Sequence, residues 1–217
     1  MSERSALIIG QLAKEKGVAL SAHAPYFINF NAHEPEKLVA SRGRLLHAVR
    51  IASLCRARSV VFHAAFYLND PPDKTYDMVR KQLREITSEL KAEDNKVWIR
   101  PETTGKASQF GTLDEITKLS SEIEGILPCI DFAHLHARTG QFNSCAEFTA
   151  ILAQIENKLG RAALDNMHIH VSGIAYGKKG ELKHLNMKES DFNYVDLIKI
   201  LKDYKVKGLV ISESPNL

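Results

Sequence analysis

Six short apolar runs in this chain each end on a side chain that can bind a metal ion. They are ALSAHAPY with His23, VVFHAAF with His63, VWIRPET with Glu102, LPCIDFAH with Asp131 and His134, NMHIHVS with His168 and His170, and LVISESP with Glu213. A strand buried on both faces reads as a continuous apolar run, and an imidazole or carboxylate at its end needs a reason. One such ending is ordinary. Six in series predict strand ends that converge on one polar site, which is where α/β barrels keep their chemistry.

Helical periodicity fills the gaps between these runs. It predicts helices over about 5–16, 34–56, 74–92, 112–122, 144–157 and 193–204, alternating with strands over about 19–23, 59–63, 97–101, 127–131, 167–171 and 208–212. Such alternation implies a parallel sheet with right-handed crossovers. One stretch breaks the pattern, SGIAYGKKGELKHLNMKES at 172–190, which reads as a long polar loop carrying Lys178, Lys179, Lys183 and Lys188. Loops of that length are more often functional than filler. The chain opens on a helix and stops just past its last strand, whereas a closed eightfold barrel takes about 250 residues and begins on a strand. The expectation is therefore an open doubly wound sheet or part of a barrel, in a single domain spanning 1–217.

Composition narrows the class only slightly. With 217 residues, 44% hydrophobic and 25% charged, the chain is globular, and a net charge of +3 permits an anionic substrate without arguing for one. Cys55, Cys129 and Cys145 lack the CxxC spacing of a structural zinc or redox site and are read as free thiols in a reducing, cytoplasmic setting. The opening MSERSALIIG is not read as a secretory signal, and no apolar run approaches the ~20 residues of a membrane span. No GxGxxG, GxxxxGK[ST], GxSxG or HExxH motif occurs, so a nucleotide cofactor, serine-hydrolase chemistry and zincin chemistry lack support.

Imidazoles mixed with carboxylates and no thiolates suit hydrolytic zinc, with manganese as the alternative. Asp131 and His134 leave their strand together. His168 and His170 share a strand face, so one is expected to touch the metal and the other to stand behind it. His33, His47 and His136 are read as loop or surface residues.

In order and spacing these residues resemble the endonuclease IV family of apurinic/apyrimidinic endonucleases. The resemblance runs from about His23 to Glu213, and its most specific pieces are HAPYFIN, FHAA, ETTG, CIDFAH, MHIHVSG and ESPN. It implies a xylose isomerase-like TIM (β/α) barrel, here partial, with about six parallel strands and without the family's first two strands and last helix. It also implies two to three zinc ions and hydrolysis of the phosphodiester 5′ to abasic sites in double-stranded DNA, a step of base excision repair. By that resemblance His23, His63 and Glu102 hold one ion. Glu102, Asp131, His168 and Glu213 hold a second with Glu102 bridging as the catalytic carboxylate, and His134 and His184 hold a third. Tyr26 falls where the family places a DNA-contacting aromatic, and Lys178 and Lys179 are read as backbone contacts. The family's third ion also takes an Asp two residues before the loop histidine; that position here is Leu182, and Glu181, one step further away, is the candidate ligand that would complete the site. A rival on the same barrel is a sugar isomerase or epimerase, whose single ion Glu102, Asp131, His168 and Glu213 satisfy unaided.

Overall fold

The computed structural model describes residues 1–216, and the chain separates into two compact units, each with its own three-stranded parallel sheet. The first unit comprises Met1–Pro101 with Glu122–Leu127. It contains α1 (Glu3–Glu15), β1 (Ser21–His23), α2 (Pro35–Leu54), β2 (Ser59–Phe62), β3 (Ala65–Phe66), α3 (Pro72–Ala92) and β4 (Trp98–Pro101). Its sheet runs β1-β2-β4, with Ser21 opposite Ser59 and Val60 opposite Ile99. Ser2 caps α1 by accepting from the Ser5 amide. Small residues let α1 lie close to α2: Ala6, Gly10 and Ala13 are its buried positions, and a Cβ on Gly10 would meet the Leu54 carbonyl oxygen at 2.7 Å. α3 buries Val79, Leu83, Ile86 and Leu90, the periodic stripe expected of an amphipathic helix.

The second unit comprises Glu102–Ser121 with Pro128–Leu217. In order it holds β5 (Gln109–Phe110), α4 (Leu113–Glu122), β6 (Cys129–Asp131), α5 (Phe132–Thr139), α6 (Cys145–Leu159), α7 (Arg161–Leu164), β7 (Met167–Val171), β8 (Gly173–Gly177), β9 (Gly180–Leu185), α8 (Tyr194–Asp203) and β10 (Gly208–Ser212). The sheet order is β10-β7-β6, all parallel. Its register is specific: His170 lies opposite Asp131 on one side and Ile211 on the other, while His168 lies opposite Cys129 and Leu209. Beside the sheet, Phe132 and Phe148 meet edge to face with ring centroids 5.7 Å apart, both fully buried.

All six expected parallel strands are present, and β7 and β10 have the predicted limits. Three expectations change. The segment after β6 is not loop: α5 begins at once, capped by Asp131, which accepts from the His134 amide at 2.7 Å. His136 is accordingly helical and buried rather than a loop residue. The stretch 172–190 is not irregular either, because 173–185 is an antiparallel hairpin followed by a 3-10 turn at Met187–Glu189. Its tip is Lys178–Lys179, with Gly180 at φ +92°, the turn-plus-bulge form in which glycine relieves a left-handed position. Among the described residues no helix is long and apolar enough to cross a membrane, and Cys55, Cys129 and Cys145 are all free thiols.

Candidate metal centre

In the second unit the C-terminal ends of β6, β7 and β10 assemble two groups of ligand atoms. The first is Glu102, Asp131, His170 and Glu213, one ligand atom from each lying within 4.8 Å of the others. Glu102 is set beside β6 by the Thr103 amide, which donates to the Cys129 carbonyl at 3.1 Å, and by a mutual pairing in which the Asp131 amide donates to Thr103 Oγ1 at 2.8 Å. His170 Nδ1 stands 2.9 Å from Glu102 Oε1 and 3.3 Å from Glu213 Oε1. Burial alone would lower the His170 pKa, but the hydrogen bond to Glu102 and the charges of Glu102, Glu213 and Asp131 outweigh it and raise it.

Of the two imidazoles on β7, the one among the carboxylates is therefore His170, not His168, which the family resemblance places in the ligand set. Register is the reason. His170 is level with Asp131, whereas His168 is level with Cys129, one step deeper in the sheet, and forms a separate buried group with Cys129 and His170. The two histidines share a face, as alternation requires, with ring centroids 5.2 Å apart.

The second group is Asp131, His134 and His184. His134 Nδ1 faces the Thr103 carbonyl at 3.0 Å and His184 Nδ1 faces the Glu213 carbonyl at 3.3 Å. A carbonyl only accepts, so each Nδ1 carries the proton and each Nε2 keeps its lone pair. Those two Nε2 atoms point at each other across 3.2 Å. Glu181 completes the group, with Oε2 3.5 Å from His134 Nε2 and Oε1 3.8 Å from His184 Nε2. Lone pairs and a carboxylate facing one another repel unless a cation or a proton lies among them. Ligands about 2.0–2.2 Å from a tetrahedral ion stand roughly 3.3–3.6 Å apart, so the spacing of these donors fits a shared ion. Without one, a proton takes that place: burial lowers the His134 pKa, but Asp131, Glu102 and Glu181 outweigh it and hold it at about 9.

Glu181 and His184 are three residues apart, which on a regular strand would put them on opposite faces. A β-bulge resolves this. Tyr176 pairs with Glu181 and Ala175 with Lys183, so Leu182 is the extra residue and points outward, 68% exposed. The carboxylate that sequence spacing denies to position 182 is thus returned by Glu181.

The fully buried Asp131 supplies the other sign that a cation belongs here. Its Oδ1 caps α5, but no hydrogen bond reaches Oδ2. Burial first, then the charge of Glu102, raises its pKa, against the lowering effects of His134 and His170. An ionised carboxylate in that position needs a positive partner, either a bound cation or the protonated imidazole of His134, whose Nδ1 lies 3.5 Å from Oδ2.

In the first unit His23 and His63 stand at the ends of β1 and β2, with ring centroids 5.5 Å apart. His23 Nδ1 faces the Ala24 carbonyl at 2.7 Å, the same device that frees Nε2 in His134. Tyr26 lies against both rings, 4.9 Å from His23 and 5.8 Å from His63, and is 67% exposed. Lys178 and Lys179 are exposed at the hairpin tip in the second unit. His33 and His47 are exposed as expected, His33 paired with Asp70 at 2.7 Å.

The sequence is 46% identical over 207 residues to an uncharacterized protein of Methanocaldococcus jannaschii, covering 94% of this chain and 75% of that one. It is 27% identical over 200 residues to a probable endonuclease 4 of Mycoplasma pneumoniae, covering 89% and 67%. Endonuclease IV from Thermus thermophilus superposes with a TM-score of 0.74 at 18% identity, covering 100% of this chain and 77% of that one. A D-tagatose 3-epimerase-like protein superposes with a TM-score of 0.72 at 19% identity, covering 98% and 76%. At such identities the two superpositions speak for the fold alone. Residues 1–217 match the xylose isomerase-like TIM barrel throughout, and the chain belongs to that family.

Proposed function

We propose that this protein is a zinc-dependent endodeoxyribonuclease of the endonuclease IV type. In this reading it hydrolyses the phosphodiester 5′ to abasic sites in double-stranded DNA, as part of base excision repair in the cytoplasm. Glu102, Asp131, His170 and Glu213 would hold one ion, with His168 behind His170. His134, His184 and Glu181 would hold another, and His23 and His63 keep the ligand role that their resemblance implies. Bound zinc supplies a hydroxide nucleophile at neutral pH and neutralises the leaving oxygen. The protein's own task is to keep the carboxylates buried and oriented, to fix the tautomers of His23, His134 and His184 through backbone carbonyls, and to draw in a polyanion.

The observation that carries this reading is the second donor group. Two imidazoles with opposed Nε2 atoms, joined by a carboxylate, have no duty in a one-ion enzyme. The competing reading, a sugar isomerase or epimerase, is favoured by the first group, which alone is a complete one-ion set of three carboxylates and an imidazole. Zinc or manganese is compatible with both.

Counting ions separates the two. Chelated protein reloaded with zinc should retain two to three ions per chain and nick a duplex 5′ to a single abasic site. One ion per chain, with interconversion of ketoses and no nicking, would establish the epimerase reading instead.

The DNA partner makes a prediction of its own. Lys178 and Lys179 project from the hairpin that carries His184, so replacing both with Gln should weaken abasic-duplex binding and flatten its salt dependence by roughly one unit of slope per lost phosphate contact. Tyr26→Ala, by contrast, should lower affinity with little change in slope, because an exposed aromatic stacks rather than neutralises. Affinity measured against salt concentration decides both. Parallel lines for wild type and the lysine variant would remove the hairpin tip from the interface.

A further inference from the structure

Glu181 is the least secured ligand in the second donor group: it is half-buried, on a two-stranded hairpin, next to a bulge. What fixes its carboxylate lies outside that hairpin. The segment after Glu102 folds back on itself: the Thr104 amide donates to the Gly111 carbonyl at 3.1 Å, and the Gln109 amide to the Lys106 carbonyl at 3.0 Å. The Arg138 guanidinium fills this turn. Its Nη1 donates to Thr104 Oγ1 at 2.9 Å and to the Lys106 carbonyl at 2.6 Å, and its Nη2 to the Gln109 carbonyl at 3.0 Å. Arg138 sits four residues after His134 on α5, so the helix that presents the imidazole also holds the turn.

The turn in its own right grips the hairpin. The Glu181 amide donates to the Gly105 carbonyl at 2.9 Å, and Lys106 bridges to Gly180. Gly105 also makes room for the carboxylate. A Cβ there would lie 2.7 Å from Glu181 Cβ, 2.9 Å from Glu181 Oε2 and 3.1 Å from His134 Cδ2. Its φ is not in the left-handed region, so flexibility is not why glycine is needed. Space is.

We infer that Arg138 and Gly105 are positioning residues whose joint task is to hold the Glu181 carboxylate against the imidazoles of His134 and His184, a role that rests on the metal reading above. Neither touches the ion. Arg138 shapes the turn, the turn anchors the Glu181 backbone, and the missing side chain at residue 105 leaves the carboxylate one place to lie. Lysine cannot replace Arg138, because several acceptors fanned around a planar fork need its donors at fixed angles.

The test is a zinc titration of the full chain after chelation, followed by calorimetry, with Gly105→Ala, Arg138→Gln, Arg138→Lys and Glu181→Gln each compared with wild type. Loss of an outer-shell partner typically costs about 10- to 100-fold in metal affinity. The three positioning variants should show a loss of that order for one class of ion and leave the other class unchanged. Gly105→Ala combined with Glu181→Gln should lose clearly less than the two single losses added together, because both changes act mainly on the same carboxylate. Melting of the chelated proteins checks that each is folded, and Gly105→Ala carries the test where Arg138→Gln does not fold. Wild-type affinity in Gly105→Ala, or losses that add in the double variant, would overturn the inference while leaving the metal reading intact. A wild-type chain that binds no zinc would overturn both.

Discussion

Glu102→Gln should lose both zinc and cleavage, and by more than any other single replacement at the site. The substitution preserves shape and the Oε1 acceptor while deleting the charge. Glu102 is 1% exposed, and its Oε1 lies 2.9 Å from His170 Nδ1 and 3.5 Å from His134 Nδ1, so the one carboxylate faces residues of both donor groups. No other carboxylate of the first group stands ready to take its place. Asp131 and Glu213 already belong to the same donor set, so neither is a spare carboxylate. The loss should therefore exceed the about 10- to 100-fold typical of an outer-shell partner. Zinc content by elemental analysis and nicking of abasic duplex are read on the same sample. A variant that keeps the wild-type zinc count and rate removes Glu102 from the centre.

That Glu102, Asp131 and Glu213 are visible in the sequence follows from strand physics. Each interrupts or ends an apolar run, and a charge there stands out because burial would otherwise forbid it. The helices are visible for the complementary reason: α3 repeats its apolar residues at Val79, Leu83, Ile86 and Leu90, which only a helix collects on one face. What stays hidden depends on register and local closure. Alternation puts His168 and His170 on one face but does not say which is level with Asp131, since that is fixed by how β7 slides against β6. α5 escapes notice because it has no preceding loop: the last residue of β6 is also its cap. The hairpin at 173–185 escapes because its bulge at Leu182 breaks the alternation that would reveal it; the same bulge is what brings Glu181, a candidate by its nearness in sequence, to the face of His184. Arg138 carries no sequence signal, and Gly105, the last residue of ETTG, carries one that does not reveal its task. A small residue and a cation acquire meaning only when the turn they serve is folded.

Asp131→Asn should raise the stability of the metal-free protein while weakening zinc binding, two effects of opposite sign from one atom. Asparagine keeps the Oδ1 that accepts from the His134 amide, so the α5 cap survives. It replaces Oδ2, a buried oxygen that no hydrogen bond reaches, with an NH2 group that carries no charge. Because the folded environment raises the pKa of Asp131, the ionised form is the one that folding disfavours above the ordinary carboxylate range. Neutralising it removes the cost of burying that charge at pH 7. The chelated variant should therefore melt a few degrees above chelated wild type. Zinc reverses the order. Wild type gains stability in proportion to the logarithm of zinc over its dissociation constant, whereas the variant, with a poorer ligand and no charge to offer, gains less. Melting curves recorded with chelator and with saturating zinc should cross over between the two proteins. If Asp131→Asn is the less stable protein in chelator as well as in zinc, the aspartate serves the fold before it serves any ion, and the first donor group loses its main physical justification.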